Sequence, residues 1–344
     1  MEIRLLDHHN KSDWDKFCLA SDDAWFWHTF NWIQYSLNYY PKAKPVNHSF
    51  FVRENKKDIA ICPLFLEQDQ NQQPVFSFGS GFLPAPCLEN NLTPKKRQKI
   101  FNYIFNYINI LAQKYNTKLI KTRIPPLSPN YFKNICYNNL LEYGYLPCDY
   151  NTQIIDLSIG LNRLQKNIRE NHRRNIKKYS HEFSLVVFHK KNITEKIFKS
   201  YQNMHRLAAG RITRPNKTFQ LMLDAIKQGN GSLFAIKSKK NIIGYYLINI
   251  YKKNAYYSSA AVRPDYDEHG VGHVAHWEII KYLNKNNFHY YEIGWQEYSD
   301  TWLEQIDNKR KNISLFKSGF GGFPKTCFQG IKFYHQDYIK KIII

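Results

Sequence analysis

Lys317 has the most distinctive chemical setting in the chain, because it lies between Phe316 and Phe320 in the apolar segment ISLFKSGFGG. A lysine placed there is either a snorkelling neighbour of the core or a cation kept near bound ligand. A protonated amine beside aromatic rings can stabilise a developing negative charge or bind a phosphate. We therefore predict that Lys317 is a catalytic cation and that Phe316 contacts substrate.

Two carboxylates are candidates for the general base. Glu292 and Glu297 lie on either side of Gly294 at the end of a predicted strand, where catalytic groups often project. Either carboxylate could take a proton from an attacking amine, and the alternative for both is a capping or ion-pair role. We predict Glu292 as the acceptor.

A set of histidines follows a predicted strand. His269, His273 and His276 have the i, i+4, i+7 spacing of one helical face. No fourth ligand and no HExxH motif is in register, so we predict no metal site. A base role for His269 is more credible, because a helix N-terminus disfavours imidazolium and keeps the ring neutral.

Positive charge is concentrated in the second half of the sequence. The 344 residues carry a formal net charge of +21, of which +17 belongs to residues 151–344 and +12 to residues 161–217 alone. Such a surface attracts polyanions, although a lysine excess that only solvates the surface is the alternative. A phosphate-bearing partner is therefore expected to bind the second half.

The arginines within this segment are the best candidates for phosphate contacts. The segment Leu161 to Tyr179 has an apolar stripe and is predicted to be one helix. Its cations at i, i+4 and i+8 are Arg169, Arg173 and Lys177. Arg173 and Arg174 on this helix, with Arg211 and Arg214 in a Gly-to-Pro loop, are predicted to bind substrate phosphate, since arginine forms bidentate bonds to phosphate.

An internal repeat organises the elements that must position these residues. Residues 50–65 (FFVRENKKDIAICPLF) and 233–248 (LFAIKSKKNIIGYYLI) match without a gap at an offset of 183 residues. Each pattern of apolar strand, charged tip and apolar strand predicts a hairpin. The repeat predicts a duplicated fold.

The elements after each hairpin also correspond. In the first copy these are a strand at 75–78, a helix from Pro94 to Lys114 capped by Thr93, and a strand at 118–124; in the second copy, a strand at 255–262, a helix at 270–284 and a strand at 289–293. We predict two α+β domains, 1–150 and 151–344, each with the order β-β-β-α-β. Of Tyr256 and Tyr257, strand alternation directs only one toward a cleft, and we take Tyr257 as that residue.

This order of elements resembles the GNAT acyltransferase fold. Its tandem repetition resembles the FemABX family of peptidoglycan-bridge aminoacyltransferases and the related BioF2-like acetyltransferases. The stretches similar to the family are WFWHTFNW at 25–32, KNIRENHRRNIKK at 166–178, HRLAAGRITRPNKTF at 205–219 and the Phe-Lys-x-x-Phe-Gly signature at 316–321. The sequence has no heptad segment for the coiled-coil hairpin that bridge-forming members carry, so the compact members are the closer match.

The resemblance implies two tandem GNAT-like domains, each with a mixed, mostly antiparallel sheet flanked by helices. It also implies transfer of an acyl or aminoacyl group to an amine of a cell-envelope precursor, from aminoacyl-tRNA or acyl-CoA, with no tightly bound cofactor. In GNAT proteins that use CoA, a glycine pair at a helix start holds the pyrophosphate, and Gly270 and Gly272 stand at that place. Asp267 and Glu268 precede the pair and repel a pyrophosphate unless Arg263 offsets them, so both donors stay open.

The sequence limits the remaining classes of function. It shows no apolar run long enough to span a membrane, no signal-peptide pattern and no activated covalent nucleophile, so a cytoplasmic enzyme is expected, with peripheral contact to the inner membrane face through basic residues. The alternatives are an acyl-CoA-dependent N-acetyltransferase acting on an amino sugar or other small amine, and a noncatalytic RNA-binding protein. tRNA is an expected partner if the acyl donor is aminoacyl-tRNA.

Overall fold

The computed structural model describes residues 1–266 and 270–340. The described residues form two compact units, the first made of residues 1–150, 299–305 and 326–340, and the second of residues 151–266, 270–298 and 306–325. Residues 299–305 and 326–340 therefore pack with the first unit, although the predicted division at residue 150 places them in the second domain. The division into domains itself stays a prediction.

The first unit is built from short strands and four main helices. In chain order it contains β1 (Glu2–Leu5), α1 (Lys11–Ala20), α2 (Phe30–Tyr39), β2 (Val46–Asn47), β3 (Phe50–Glu54), β4 (Lys57–Cys62), β5 (Phe65–Gln68), β6 (Pro74–Phe76), β7 (Leu83–Pro84), β8 (Cys87–Leu88), α3 (Pro94–Lys114), β9 (Leu119–Arg123), α4 (Pro129–Asn134) and β10 (Leu146–Pro147). One sheet has the order β1-β3-β4-β8. The Thr93 side chain accepts a hydrogen bond from the Lys96 amide, and Pro94 is the first residue of α3, so the predicted helix start is confirmed.

The second unit has one continuous sheet with helices on both faces. It contains β11 (Tyr150–Asp156), α5 (Leu161–Asn167), α6 (Glu170–Tyr179), β12 (Phe183–Phe188), α7 (Glu195–Ala209), α8 (Asn216–Lys227), β13 (Gly231–Ser238), β14 (Asn241–Tyr251), β15 (Asn254–Val262), α9 (Val271–Lys285), β16 (Tyr290–Gln296), α10 (Asn308–Ser318) and β17 (Phe323–Cys327). The strand order is β12-β13-β14-β15-β16-β11-β17. Tyr245 meets Tyr201 of α7 and its neighbour Tyr246 meets His276 of α9, so α7 and α9 cover opposite faces.

The chain ends in the first unit. It adds β18 (Gln329–Phe333) and α11 (Gln336–Ile339) there. β18 pairs antiparallel with both β9 and β10, in a second sheet ordered β10-β18-β9-β6-β5-β2, with β7 also paired to β9. This explains why a C-terminal segment belongs to the first unit. Among the described residues, no helix is both long enough and apolar enough to cross a bilayer.

The repeated hairpins share turn position and irregularity. β3 pairs with β4 and β13 with β14, and each ladder contains one bulge, between Val52 and Arg53 in the first and between Ile236 and Lys237 in the second. By the positions of the bulges and turns, Glu54 in the first hairpin corresponds to Ser238 in the second. The ungapped match aligns Glu54 with Lys237, so the two correspondences differ by one residue. The duplicated hairpin is confirmed, and its predicted register is wrong by one residue because strand pairing, not residue identity, defines the correspondence.

The basic segment is two helices and not one. α5 ends at Asn167 and α6 begins at Glu170, with extended backbone at Ile168 and Arg169 between them. The Arg169 amide donates a hydrogen bond to the Gly319 carbonyl at 2.8 Å, in place of the bond that it would make inside a continuous helix. The predicted single helix from Leu161 to Tyr179 is therefore wrong, because a tertiary hydrogen bond replaces a local one.

Candidate active site

Two parallel strands separate at the centre of the second unit. The pairing of β15 with β16 runs from Asn254 and Tyr290 to Tyr256 and Glu292, while the strands continue to Val262 and Gln296. Near the separation, Ser258 is bulged from the ladder that β15 forms with β14. The opening exposes strand-end groups to one place where a ligand can lie.

Glu292 occupies the last paired position before the strands separate. Its side chain is fully buried, and its Oε1 accepts a hydrogen bond from Thr152 Oγ1 at 2.8 Å. A carboxylate kept from water in this way can hold or accept a proton if an amine is brought to it. Glu292 thus lies within β16, as the third of its seven residues, and not at a strand end as predicted. Its role as base stays a prediction.

Glu297 is engaged differently. Both of its carboxylate oxygens accept hydrogen bonds from the Arg310 guanidinium, and its backbone amide donates to Ser314 Oγ at 2.8 Å. This bidentate ion pair engages both carboxylate oxygens of Glu297. Of the two candidate carboxylates, Glu297 has the ion-pair role.

Lys317 lies against the backbone of β16. Its Nζ is only 2.8 Å from the position that a Cβ would take at residue 294, where Gly294 has a φ of +116°. Glycine is therefore required twice, by its backbone angle and by the lysine that fills the space of a side chain. Burial lowers the pKa of Lys317, while the carboxylates of Glu297 and then Glu292 raise it. The amine is thus a mostly buried cation beside the separated strands.

The basic helix α6 holds the segment that carries Lys317. Arg169 donates from its amide to the Gly319 carbonyl and from its guanidinium to Ser318 Oγ at 3.1 Å. His172 Nε2 donates to the Phe316 carbonyl at 2.9 Å. These bonds satisfy two C-terminal carbonyls of α10. Arg169 is therefore hydrogen-bonded to α10 and to its C-cap residue Gly319, although the sequence predicts that it shares a cationic helix face with Arg173.

His172 is a site residue that the sequence analysis does not identify. It is buried, its ring packs on those of Phe316 and Phe320, and burial lowers its pKa. The ring also fills the space over Gly319. Its position within a run of arginines masks the signal, because a buried histidine there becomes evident only once α10 is in place.

Two histidines of α9 complete an uncharged cluster behind Lys317. Burial, followed by the charges of Lys317 and the neighbouring histidines, lowers the pKa of His276 to about 3, and burial with His172 lowers that of His273 to about 4. His276 Nδ1 and the Tyr291 hydroxyl are 3.1 Å apart, and Tyr257 packs edge-on against the His276 ring. Burial also raises the pKa of Tyr257. Tyr257 thus packs against this cluster, and its predicted contact with substrate stays a prediction.

His269, the predicted second base, lies outside the described residues, as do Asp267 and Glu268. Among the residues that are described, no group of three or more His, Cys, Asp or Glu side chains is arranged to hold a metal ion.

The glycine pair at the start of α9 lies beside a cavity. Gly270 caps the helix with a φ of +66°, and the Tyr179 ring fills the space over it. Phe316 lies 3.1 Å from the position of a Cβ on Gly272. Both glycines therefore permit close aromatic packing. The cavity has a volume of about 380 Å³ and is lined by Asn175, Tyr179, Tyr246, Val262, Tyr266, Gly270, Val271, Gly272, His273 and Phe316.

The predicted cationic residues separate into different settings. Arg263 forms a bidentate ion pair with Asp265, which raises its pKa and compensates its charge. Arg173 donates to the Lys166 carbonyl at 3.1 Å, and Arg174 lies 3.9 Å from Glu170, both on the exposed side of α6. These three residues do not line the cavity.

The two loop arginines differ in burial. Arg214 is half-buried, with its guanidinium 5.7 Å from the Phe219 ring centre, and its charge helps to lower the pKa of His205 after burial. Arg211 is exposed. Only Arg214 is packed into the second unit.

Comparisons with known proteins agree with this architecture. Residues 166–301 match the family described as acetyltransferase (GNAT) domain. FemX has a similar structure, with a TM-score of 0.68 at 10% identity over 99% of this chain and 100% of that one. The chain has a tandem GNAT fold, and residues 166–301 match the GNAT domain family. Its enzymatic class is acyltransferase, so the noncatalytic RNA-binding alternative is not retained.

Two further solved structures share the tandem GNAT fold. A domain of a lysylphosphatidylglycerol synthetase-like protein from Agrobacterium fabrum has a TM-score of 0.61 at 11% identity, covering 97% of this chain and 94% of that one. A tandem GNAT protein from the clavulanic acid biosynthesis pathway has a TM-score of 0.51 at 13% identity, covering 96% and 98%. At such identities the likeness establishes the fold alone. No curated protein sequence matches significantly.

Proposed function

We propose that this tandem GNAT protein transfers an acyl or aminoacyl group to an amine of a phosphate-bearing cell-envelope precursor, such as a precursor of peptidoglycan or of a surface glycan. The observation that carries the proposal is the buried Lys317 amine held over Gly294, where β15 and β16 separate. The sequence resemblance to FemABX enzymes supports the acceptor class.

The chemistry requires no covalent enzyme intermediate. The acceptor amine attacks the carbonyl carbon of the donor ester or thioester, the carbonyl oxygen gains negative charge, and the tetrahedral intermediate expels the donor oxygen or sulfur. Lys317 stabilises the developing oxyanion, or a substrate phosphate beside it, because a cation in a water-poor site acts strongly on nearby charge. Glu292 accepts the proton that the attacking amine loses, and that proton then passes to the departing oxygen or sulfur of the donor.

The phosphate of the acceptor is assigned to the cations of the second unit. Arg214 lies beside Phe219 and is half-buried, so it can bind an anion in a partly desolvated place. Arg211, Arg173 and Arg174 are exposed and act by attraction at longer range. The cationic surface of the second unit therefore serves a phosphate-bearing acceptor, in the cytoplasm or at the inner membrane face.

The cavity at the start of α9 is the proposed donor site, with Tyr257 and Phe316 at its catalytic side. Its described lining contains tyrosine, histidine, asparagine and phenylalanine but neither lysine nor arginine. A pyrophosphate would meet the α9 N-terminus there without a cation from this lining, since Arg263 is paired with Asp265. This chemistry favours the aromatic- and ribose-bearing end of an aminoacyl-tRNA over CoA.

One observation favours a second candidate. The matched family is described as an acetyltransferase domain, and Gly270 and Gly272 do stand at a helix start where CoA pyrophosphate is held in that fold. Acyl-CoA-dependent transfer to an amino sugar or another small amine is therefore the alternative.

Mass spectrometry of envelope precursors, in cells with and without the protein, tests the proposal. An added mass equal to an amino acid residue is expected, and purified protein should form the same product from aminoacyl-tRNA. An acetyl or fatty acyl increment, formed from acyl-CoA, would support the alternative. Unchanged precursors together with no transfer to any amine acceptor in vitro would refute both.

A further inference from the structure

The connection between α7 and α8 exposes two large apolar side chains. Leu207 at the end of α7 is 60% exposed and Ile212 in the following loop is 70% exposed. Single exposed apolar residues are common and need no explanation. Leu207 and Ile212, however, lie within six residues of each other, and the residues between them are exposed as well. We call residues 207–212 the apolar tip.

This tip is held in place and is not a loose loop. Asn216 Oδ1 at the start of α8 accepts hydrogen bonds from Gln202 Nε2 at 2.8 Å and Arg206 Nη2 at 2.6 Å, both from α7. Gly210 ends α7 with a φ of +65°. Arg214 packs against Phe219. The anchors on both sides fix the direction of the tip and reduce the entropy lost when it docks.

Cations surround the apolar tip. Arg206 and Arg211 flank Leu207 and Ile212 in sequence, and Lys217 follows on the exposed surface of α8. The segment 161–217 that contains them has a net charge of +12. Apolar side chains beside arginine and lysine suit an interface with anionic headgroups outside and acyl chains within.

We propose that Leu207, Arg211 and Ile212 dock the second unit on a bilayer surface that contains anionic phospholipids. The apolar side chains enter the boundary between headgroups and acyl chains, and Arg211 binds lipid phosphate. Docking would bring the enzyme to a lipid-linked acceptor. This purpose rests on the proposed function, whereas binding to the bilayer does not.

The test is sedimentation of the full chain with vesicles. We expect binding to vesicles of phosphatidylcholine with phosphatidylglycerol, weak binding to phosphatidylcholine alone, and loss of binding at high salt. The double variant Leu207→Asn with Ile212→Asn should bind about tenfold more weakly or worse, since two apolar side chains no longer leave water. Arg211→Ala should weaken binding about fivefold.

Leu19→Asn is the matched control. Leu19 lies on α1 of the first unit and is 67% exposed, and Asp22 and Asp23 follow it. Its replacement should leave vesicle binding unchanged, and thermal unfolding should show that all variants are folded. Docking through the tip is refuted if the double variant binds like the wild type or if Leu19→Asn weakens binding equally.

Two outcomes separate this inference from the proposed function. A protein that transfers acyl groups to a water-soluble amine but ignores anionic vesicles would refute docking alone; binding of RNA in place of vesicles would do the same. A protein that binds vesicles through the tip but modifies no acceptor would refute the transferase proposal and support docking.

Discussion

Both units contain a hairpin and, further along, a helix followed by a strand. In the first unit the four short strands β5 to β8 stand between the hairpin and the helix, where the second unit has β15 alone, and the two helices also start differently. In the first unit, Thr93 caps α3 with its side chain and Pro94 begins the helix. In the second, Gly270 begins α9 in a left-handed conformation beside a cavity. A larger cavity, of about 1010 Å³, adjoins the start of α3 as well, with Leu92, Pro94 and Lys95 in its lining. The two helix starts therefore differ in how they are capped and not in whether space lies beside them.

Each unit contains a lysine whose pKa is lowered by burial, and the two lysines have different surroundings. Lys121 on β9 of the first unit donates to the Ser80 carbonyl at 2.9 Å. Lys317 of the second unit lies over Gly294, beside the carboxylates of Glu292 and Glu297. A buried amine is therefore insufficient to mark a site. What distinguishes Lys317 is its place beside the strands β15 and β16 where their ladder ends.

The largest effect is expected from removing the amine. Lys317→Ala should lower kcat by about 10²- to 10³-fold, because a charge aimed at the oxyanion is lost. Lys121→Ala is the control, matched for burial in the other unit, and should keep kcat near the wild-type value. Steady-state kinetics of both purified variants test the difference, and equal losses would contradict the assignment of chemistry to the second unit.

A smaller loss is expected from filling the space under Lys317. Gly294→Ala adds a Cβ at 2.8 Å from Nζ and should lower kcat by about 100-fold through misplacement of the amine. Gly144→Ala is a close control, since Gly144 of the first unit also has a positive φ, +80°, and also lies under a lysine, Lys332. Both variants should lose stability by calorimetry, but only Gly294→Ala should lose rate. Normal turnover by Gly294→Ala would show that the position of the amine is unimportant.

His172 is expected to act by positioning α10. His172→Phe removes the bond to the Phe316 carbonyl and should lower kcat about tenfold with little change in KM, whereas His172→Gln keeps a donor and should recover most of the rate. His28 of the first unit is a fully buried counterpart that donates to the Ala85 carbonyl at 2.9 Å. His28→Phe should reduce stability without reducing kcat per folded molecule. If glutamine at 172 is no better than phenylalanine, positioning through this hydrogen bond is excluded.

The smallest effect concerns the pH dependence of stability. His276 has a pKa of about 3 when folded, below the ordinary value of 6.5, so below pH 6.5 the unfolded chain binds more protons. Its contribution to stability is complete above that pH and is lost as the pH falls toward 3. His276→Gln should reduce the slope of unfolding free energy against pH by up to about 1.4 kcal/mol per unit between pH 6 and 4. Denaturant unfolding measures this slope, and an unchanged slope would show that His276 is not buried as a neutral ring.

Part of the site follows from the sequence. The signature around Lys317, the strand that contains Glu292 and the tyrosines of β15 depend on local patterns, and the structure places each in the second unit. The roles predicted for them stay predictions. The hydrogen-bond partners of the arginines could not be predicted from local patterns. The bond between Arg169 and Gly319, for example, joins residues that are distant in the chain.

The sequence by itself determined the repeated hairpin, the β-β-β-α-β order of the second unit, the capped start of α3, and the concentration of positive charge in residues 161–217. These depend on periodicity, turn residues and composition, which act over a few residues. The first unit has the additional strands β5, β7 and β8, which the predicted order lacks. Only the tertiary structure decided the break before α6, the one-residue shift of the second hairpin, the role of His172 and the meeting of Lys317 with Gly294. Each of these depends on packing and hydrogen bonds between distant segments, whose energies outweigh local preference once the core forms.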